Sequence, residues 1–202
     1  MIVLGLTGSI AMGKSATANI LSSYGVPVFD ADLCVHKLIG FNGRLVPLIA
    51  REFPSTLEKT KNYRFINRAK LGNIVFNNKK LKRNLENIIH PQIGKERKKW
   101  TEQAIRRRDK IICYDVPLLF ETKGEKAVDE VIVVSAPYFI QRQRALKRKN
   151  MDQKKLNNIL KTQMPDKDKR KRADFVVNTG NGYRFSRNQV KNIIKKLSQW
   201  EE

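Results

Sequence analysis

A glycine-rich stretch near the start of the chain has the residue types needed to hold phosphate groups. Residues 8–15 read Gly-Ser-Ile-Ala-Met-Gly-Lys-Ser, the complete pattern G-x-x-x-x-G-K-[ST]. Gly8 and Gly13 permit backbone turns that a side chain would block, so successive N–H groups can point inward around an anion. Lys14 can reach the β- and γ-phosphates of a nucleotide, and the Ser15 hydroxyl can ligate Mg²⁺.

Two aspartates after the second predicted strand are candidates for acid–base chemistry. Asp32 lies just past the end of that strand, where a carboxylate can accept the proton of an attacking hydroxyl. Asp30 can orient Mg²⁺ or a water molecule. The alternative is structural, because either aspartate can cap the helix that follows. Of the two, the sequence favours Asp32 as the functional residue.

Asp115 is the second acidic candidate. It directly follows an apolar strand pattern at residues 111–114, which is typical of an acid that supports a metal ion beside a phosphate-binding loop. The alternative is a structural turn residue ahead of Pro117. Because a serine alone rarely holds Mg²⁺, the sequence favours Ser15 and Asp115 together as metal ligands.

Arginines recur in a helical pattern late in the chain. Arg144 and Arg148 lie four residues apart, a spacing that places them on one helical face where both can meet the same anion. A planar guanidinium can bridge the oxygens over which charge spreads during phosphoryl transfer. Arg142 and Lys147 are expected on a solvated basic face instead.

The elements that must position these residues follow from hydrophobic periodicity. Short apolar runs alternate with helical patterns, which indicates an α/β fold with a parallel sheet. Ligands of such sheets bind beyond the carboxyl ends of the strands. We therefore expect the glycine-rich loop, Asp30 and Asp32, Asp115 and the turn at Asn178 to converge on one crevice. The predicted strands are residues 2–6, 26–29, 111–114, 131–134 and 175–177.

Two helical insertions are predicted between these strands. In the first, Pro91 is expected to break the chain direction between two helices, with His90 packing or capping at the break and His36 on a helix surface. The second covers residues 137–172 and is strongly basic. A final helix is expected to pack on the sheet. Apolar residues at helical spacing mark the first insertion and the final helix: Leu81, Leu85, Ile88 and Ile89, then Val190, Ile193, Ile194 and Leu197.

The amino-acid composition limits the classes of protein to which the chain can belong. The 202 residues carry 41 Lys and Arg against 19 Asp and Glu, a formal net charge of +22, which attracts polyanions. Nucleic-acid binding is one interpretation, but aromatic residues are not interleaved with the basic clusters as stacking platforms require. No apolar run reaches the roughly 20 residues of a membrane span, and no secretory signal is visible. Cys34 and Cys113 form no CxxC pair and are expected to be reduced.

Over nearly its whole length the sequence resembles the dephospho-coenzyme A kinase family. The glycine-rich loop alone indicates only nucleotide phosphates. More specific are the acidic turn after the second strand, the Pro-Leu-Leu-Phe-Glu segment at residues 117–121, and the pattern Gln-x-x-Arg-x-x-x-Arg that begins at Gln141. The matching positions are residues 6–10, 13–15, 28–32, 90–91, 115–121, Gln141, Arg144, Arg148, Gln163 and residues 173–177.

The resemblance implies a P-loop NTPase core with a parallel five-stranded sheet, a helical acceptor-binding insertion and a helical lid. Within a single kinase domain of residues 1–202, the core is expected at about 1–33, 110–136 and 173–202, the insertion at about 34–109 and the lid at about 137–172. The implied enzyme transfers the γ-phosphoryl group of ATP, with Mg²⁺, to the ribose 3′-hydroxyl of dephospho-coenzyme A. This is the last step of coenzyme A biosynthesis.

The resemblance also implies roles for individual residues. Asp32 matches the presumed base and Arg144 the lid arginine, so these two and Lys14 are the expected catalytic residues. Thr7, Asp32 and His90 are expected to bind the acceptor. Asn178 would lie at a turn that meets the adenine. The expected ATP-binding residues are Gly8, Ala11, Met12, Gly13, Lys14, Ser15, Ala16, Arg148 and Asn178.

Two positions depart from the family pattern. Ala11 stands where relatives often carry glycine, which costs little if its φ is negative and is strained otherwise. Ala16 stands where relatives often carry threonine, and Ser15 remains as the Mg²⁺ ligand.

Two alternative functions remain at this stage: a P-loop kinase for another small acceptor such as a nucleoside or nucleotide, and a basic nucleic-acid-binding protein with vestigial ATP binding. Asp32 and the lid arginines favour a kinase. We therefore expect ATP and dephospho-coenzyme A as small-molecule partners, no nucleic-acid or membrane partner, and a cytoplasmic location.

Overall fold

The structure is a computed structural model and describes residues 1–76 and 78–199. In chain order the strands are β1 (Ile2–Thr7), β2 (Val28–Asp30), β3 (Leu57–Lys59), β4 (Arg64–Ile66), β5 (Ile111–Asp115), β6 (Glu130–Ser135) and β7 (Phe175–Asn178). The helices are α1 (Lys14–Ser23), α2 (Ala31–Ile39), α3 (Val46–Glu52), α4 (Arg68–Phe76), α5 (Lys79–Arg106), α6 (Tyr138–Leu146), α7 (Gln153–Thr162), α8 (Asp166–Lys171) and α9 (Tyr183–Ser198).

The chain divides into two compact units. Unit 1 comprises Met1–Phe29 and the chain from Ala104 onward, and unit 2 is Asp30–Gln103. Each unit has its own apolar core. Within the described ranges, no helix combines the length and apolar character that crossing a bilayer requires.

Unit 1 is built on a five-stranded sheet with strand order β2-β5-β1-β6-β7. β1 runs parallel to β5 and β6, and β6 runs parallel to β7. Leu4, Leu6 and Ile132 are fully buried because both faces of the sheet are covered, which explains the continuous apolar runs in the sequence. Residues of α1 and α9 join the same core. The predicted α/β class, the five strands and the packing of the final helix are confirmed.

The strand register brings the candidate loops of unit 1 to one edge of the sheet. Leu6 pairs with Asp115, Thr7 with Val133 and Ser135 with Asn178. The glycine-rich loop therefore leaves β1 beside the end of β5 on one side and the ends of β6 and β7 on the other. This confirms, for the residues of unit 1, the predicted convergence at the carboxyl ends of the strands.

Unit 2 packs helices α2 to α5 around a small core. Ile49, Phe53 and Ile66 are buried there, and the predicted apolar face at residues 81–89 packs against them. β3 and β4 form an antiparallel pair, with Leu57 opposite Ile66. The sequence pattern predicts only helix in this region. The hairpin escaped notice because each strand is three residues long and the pair carries Glu58, Lys59 and Arg64 rather than an apolar alternation.

The predicted helix break at Pro91 is wrong. α5 is one helix from Lys79 to Arg106 with Pro91 inside it, and His90 is exposed in its middle rather than at a break. Pro91 is itself exposed, while Ile89 and Ile93 on either side pack into the core of unit 2. This packing offsets the hydrogen bond that proline removes, a cost of about 3 kcal/mol in a helix interior.

The basic segment at residues 137–172 is helical, as predicted. It forms α6, α7 and α8, and Pro165 is the residue immediately before α8. All three helices belong to unit 1, the same unit as the glycine-rich loop.

Candidate active site

The loop between β1 and α1 needs glycine at two points. A Cβ atom on Gly8 would lie 2.3 Å from Val134 Cγ2 and 2.8 Å from the Val134 carbonyl oxygen, so the loop can pass β6 only without a side chain. Gly13 has φ 94° and is the N-cap of α1, a conformation that L side chains rarely adopt. No side chain of the described residues caps α1. Its first N–H groups can therefore serve an anion.

Ala11 has a strained backbone. Its φ is 61°, in the left-handed region, which is the unfavourable case anticipated for an alanine at this glycine position. The Ala11 methyl group contributes to packing, because Ala11 is buried in one apolar cluster with Ala145 of α6 and Leu156 of α7. This apolar contact offsets part of the backbone cost and ties the loop to the helices of residues 137–172.

Lys14 and Asp115 form an ion pair at the mouth of the loop. The Lys14 side chain is 16% exposed and that of Asp115 4%, so the pair is shielded from solvent. Lys14 is the first residue of α1, and Asp115 ends β5 beside Leu6. The pairing holds the ammonium group at the loop. Phosphate groups entering the loop would compete with Asp115 for the Lys14 ammonium group.

The chain after Asp115 is anchored to α8 by a buried lysine. Lys169 is fully buried, and its Nζ lies 2.8 Å from Glu121 Oε1. Burial opposes ionisation of Glu121, but hydrogen bonds from Lys169 and from the Met164 N–H outweigh it and lower the pKa of Glu121. Lys169 also donates to the Pro117 carbonyl at 3.4 Å. The Pro-Leu-Leu-Phe-Glu segment is thus fixed at both ends.

Thr7 shares this anchor rather than facing open solvent. It is fully buried and donates a hydrogen bond from its hydroxyl to the Pro117 carbonyl at 3.0 Å.

The Cys113 thiol of β5 is buried. Burial and the charge of Asp115 raise the pKa of this thiol, which stays neutral. Both cysteines of the chain are free, as predicted.

Two glutamines form hydrogen bonds with the backbone of Ile10. Gln141 of α6 is buried and donates from Nε2 to the Ile10 carbonyl at 2.9 Å, and Gln163 accepts from the Ile10 N–H at 3.0 Å. The middle of the loop is therefore clamped by the basic helical segment. Both glutamines are among the positions that carry the family resemblance, but the sequence alone predicts no role for them.

Arg144 is docked against the loop through Thr179. Its Nη1 donates to Thr179 Oγ1 at 2.9 Å and its Nη2 to the Thr179 carbonyl at 2.7 Å. Thr179 Oγ1 in turn donates to the Met12 carbonyl at 2.7 Å. Arg142, in contrast, is exposed and bonds Gln153. The predicted difference between these two arginines is thus visible in their contacts.

The prediction that Arg144 and Arg148 share a helical face is wrong. α6 ends at Leu146, and Arg148 is exposed in the turn that follows. The turn passes Asn150, which has φ 59°, and α7 begins only after Asp152 caps it. The helix ends before Arg148, so the spacing of four residues does not correspond to one turn of helix there.

Sequence reasoning missed Thr179 and chose its neighbour. Asn178 is exposed, and its Oδ1 accepts from the Gly180 N–H at 2.9 Å, which shapes the turn. Thr179 lies 5% exposed between the loop and Arg144, and a Cβ on Gly13 would meet it at 2.9 Å. The available signal was its position one residue beyond β7, at the edge of the sheet where ligands of such folds bind.

We predict that Thr179→Val lowers kcat about 10-fold, because Arg144 and the Met12 carbonyl lose a shared hydrogen-bond partner. Thr179→Ser keeps the hydroxyl and should restore kcat. The matched control is Thr56→Val, which removes the buried hydrogen bond from Thr56 to the Phe53 carbonyl in unit 2. Steady-state kinetics of the three variants are compared with their thermal unfolding. If Thr179→Val loses stability as Thr56→Val does but keeps its kcat, Thr179 is only structural.

The aspartates of unit 2 are distinguished by their contacts. Asp30 caps α2, because its Oδ1 accepts from the Leu33 N–H at 2.8 Å. Asp32 lies exposed in the first turn of α2. The capping alternative therefore applies to Asp30, and the Asp32 carboxylate is available for chemistry. His90 lies on α5 in the same unit.

Residues that could hold a cation are few. Among the described residues, no group of three or more His, Cys, Asp or Glu side chains is arranged to hold a metal ion. The Ser15 hydroxyl, exposed in the first turn of α1, and the Asp115 carboxylate provide hard oxygen donors at the loop. This donor set fits Mg²⁺, which uses one or two protein ligands and takes the rest from phosphates and water.

Comparison with known proteins reaches the same family as the sequence motifs. The dephospho-CoA kinase family model, CoaE, matches residues 2–184. The dephospho-CoA kinase of Bartonella quintana (strain Toulouse) is 44% identical over 197 residues, 98% of this chain and 98% of that protein. The crystal structure of TT1252 from Thermus thermophilus aligns with a TM-score of 0.83 at 27% identity and 97% coverage of both chains. A dephospho-CoA kinase structure from Campylobacter jejuni aligns with a TM-score of 0.63 at 29% identity and 96% coverage of both chains.

Proposed function

The chain belongs to the dephospho-CoA kinase family, and from that premise we propose which of its residues perform the reaction. The activity is ATP-dependent phosphorylation of dephospho-CoA in coenzyme A biosynthesis. Lys14 and the backbone of residues 8–16 hold the phosphates of ATP, Asp32 accepts the proton of the acceptor hydroxyl, and Arg144 stabilises the charge that develops on the transferring group. The observation that carries the proposal is the meeting of Lys14, Asp115 and the Arg144–Thr179 contact around one glycine-rich loop.

The proposed step is an in-line transfer. The ribose 3′-oxygen attacks the γ-phosphorus, its proton moves to the Asp32 carboxylate, and the bond between the γ-phosphorus and the bridging oxygen breaks to release ADP. Lys14 and the loop N–H groups neutralise charge on the phosphates. Arg144 is held at the loop by Thr179, and its planar guanidinium is the group that would contact the equatorial oxygens.

Other residues act by position or by contact with the nucleotide. Gly8 and Gly13 let the loop close on the phosphates, and Met12 links the loop to Thr179. Ala11 and Ala16 would contact the phosphates through their backbone N–H groups, while the Ala11 methyl group packs against α6 and α7. Thr7 positions the chain after β5 through Pro117. Asn178, at the turn that it shapes, would meet the adenine. Arg148 would act as a second cationic contact, and His90 would contact the acceptor from unit 2.

We assign the acceptor-binding role to unit 2 and the lid to residues 137–172. Unit 2 carries Asp32 on α2. The lid assignment is supported by the contacts of Gln141, Gln163 and Arg144 with the loop and with Thr179. We further propose a cytoplasmic enzyme without a nucleic-acid or membrane partner, since the reaction consumes ATP and its substrates are small polyanions that a charge of +22 attracts.

Ser15 and Asp115 are the proposed ligands of Mg²⁺. Held by these two residues, Mg²⁺ would supply positive charge that offsets the negative charge of the phosphates. For this role Lys14 would exchange Asp115 for the phosphates, and Asp115 would exchange Lys14 for the cation. Ser15 needs no such exchange, because its hydroxyl is exposed at the first turn of α1.

We predict that Ser15→Ala raises the Mg²⁺ concentration for half-maximal rate by about 10- to 100-fold, because a ligand oxygen is lost. Ser22→Ala, an equally small change at an exposed position near the other end of α1, is the control. The measurement is the initial rate against Mg²⁺ at constant ATP. Identical Mg²⁺ curves for the two variants would remove Ser15 from the metal site.

A further inference from the structure

The largest fully buried side chain of the described residues belongs to a lysine. Lys169 of α8 is completely shielded from solvent, although a lysine is almost never buried without a partner. Its ammonium group meets the carboxylate of Glu121, with Nζ 2.8 Å from Oε1. Such a pair is weak evidence for stability, because apolar side chains of similar volume often fill the site equally well. The residues that the pair holds in place therefore indicate its role.

Glu121 accepts a second hydrogen bond, from the connector between α7 and α8. This connector is residues 163–165, and the N–H of Met164 within it donates to the same oxygen, Glu121 Oε1, at 2.8 Å. The Met164 side chain also packs against the apolar cluster that contains Phe120. One carboxylate oxygen thus ties α8 and the connector to the segment after β5. We call Glu121, Lys169 and the Met164 N–H the Glu121 anchor.

The residue before Met164 reaches the glycine-rich loop. Gln163 directly follows α7, and its Oε1 accepts from the Ile10 N–H at 3.0 Å. Because Gln163 and Met164 are adjacent, the bond that fixes Met164 also limits where the Gln163 side chain can lie. Ile10 immediately precedes Ala11, whose φ is 61°, and such strain persists only where the surroundings fix the backbone. The Glu121 anchor therefore supports a contact that keeps the loop in its strained form.

Lys169 also contacts the chain that leaves β5. Its Nζ donates to the Pro117 carbonyl at 3.4 Å, and the Thr7 hydroxyl donates to the same carbonyl at 3.0 Å. Thr7 ends β1 directly before Gly8, and Pro117 lies two residues after Asp115. Lys169 is thus connected to the start of the loop through Pro117, as well as to its middle through Glu121.

We propose that Lys169 and Glu121 are positioning residues for phosphoryl transfer, because together they fix the conformation of the glycine-rich loop. They act through two other residues, Gln163 at the middle of the loop and Pro117 at its start. The inference rests on the proposed function of that loop, which is to hold the phosphates of ATP. It extends that function to a buried ion pair outside the loop.

The chain provides a matched control for Glu121. Glu125 lies four residues later and pairs with Arg172, the residue after α8, as Glu121 pairs with Lys169. The two glutamate side chains are 17% and 20% exposed, and among the described residues the Oε2 of each is buried without a hydrogen-bond partner. Glu125→Ala therefore removes the same groups as Glu121→Ala from a similar environment.

Glu121→Ala should lower kcat about 10- to 100-fold, because a small displacement of a positioning group can cost about 100-fold in rate. Glu125→Ala should keep the kcat of the wild type. Glu121→Gln retains an acceptor oxygen for the Met164 N–H and for Lys169, so it should keep most of its kcat. The measurement is kcat at saturating ATP and dephospho-CoA, together with thermal unfolding of each variant. A loss of kcat in Glu125→Ala equal to that in Glu121→Ala overturns the proposal.

A double variant protects the test against misfolding. Glu121→Leu combined with Lys169→Met fills the site with apolar side chains and leaves no unpaired charge, so its thermal unfolding should stay close to that of the wild type. Its kcat should still fall about 10-fold or more, because the Glu121 anchor is lost.

Amide hydrogen exchange of the double variant gives a readout that is independent of activity. The Ile10 amide should exchange about 10-fold faster than in the wild type, because the Gln163 side chain is no longer fixed. The Val26 amide, which donates to the Leu21 carbonyl in the same unit at 3.1 Å, should exchange at an unchanged rate. Wild-type exchange at Ile10 overturns the proposal, and so does a wild-type kcat.

Lys14→Ala separates the Glu121 anchor from the proposed function of the loop. This variant should lose kcat and keep the Ile10 amide protected. If it keeps kcat while the double variant exposes the Ile10 amide, the function of the loop fails and its anchoring stands. If it loses kcat while the double variant matches the wild type in kcat and in Ile10 exchange, the anchor fails and the function of the loop stands.

Discussion

Arg144→Lys should lower kcat about 1,000-fold, the size of effect associated with an arginine that stabilises transition-state charge in phosphoryl transfer. Lysine keeps the positive charge but lacks the planar fork whose two nitrogens donate to Thr179 in Arg144, and it cannot bridge two phosphate oxygens in that way. The loss should fall on kcat rather than on the KM for ATP, because the interaction strengthens as charge develops.

Arg142→Lys is the matched control for this prediction. Arg142 lies two residues away on α6, is exposed and bonds only Gln153 in the contacts described above. The same substitution there should leave kcat unchanged. The measurement is the steady-state kinetics of the two variants side by side. Equal and mild defects in both would mean that Arg144, like Arg142, is only part of a solvated basic face.

Asp32→Asn should lower kcat about 100- to 10,000-fold, because the amide cannot accept the proton of the acceptor hydroxyl. Stability should be unaffected. The Asp32 side chain is exposed, and α2 is capped by Asp30 instead. ATP binding should also be preserved, because the loop that holds the phosphates belongs to the other unit.

Asp30→Asn provides the control for Asp32. Asparagine caps helices about as well as aspartate, so this variant should keep both its fold and its kcat. The measurements are kcat at saturating substrates and the Kd for ATP. A normal kcat in Asp32→Asn together with a weakened Kd for ATP would make Asp32 a binding residue rather than a base.

The sequence was most informative where local pattern and function coincide. The glycine-rich loop could be identified from eight residues because Gly8, Gly13, Lys14 and Ser15 are each required by a local physical constraint. The sheet followed from apolar runs that are buried on both faces. Asp115 could be placed at the loop because parallel strands end at a common edge of the sheet.

The remaining features depend on contacts between distant parts of the chain. Thr179 connects Met12 and Arg144 across 167 and 35 residues, which no local pattern reveals. α5 continues through Pro91 because tertiary packing outweighs the local penalty. Ala11 is tolerated at positive φ because its methyl group packs against α6 and α7. The β3–β4 hairpin could not be predicted because each of its strands is too short to show an alternating apolar pattern.

The most direct test of the central claim is to determine which oxygen of the acceptor receives the phosphoryl group. The purified protein is incubated with ATP, Mg²⁺ and dephospho-CoA, and the products are followed by phosphorus NMR. The account predicts one new phosphate monoester for each ADP formed, with its phosphorus coupled to the ribose H3′. ADP formation without a new monoester, or a monoester at any other position, would contradict it.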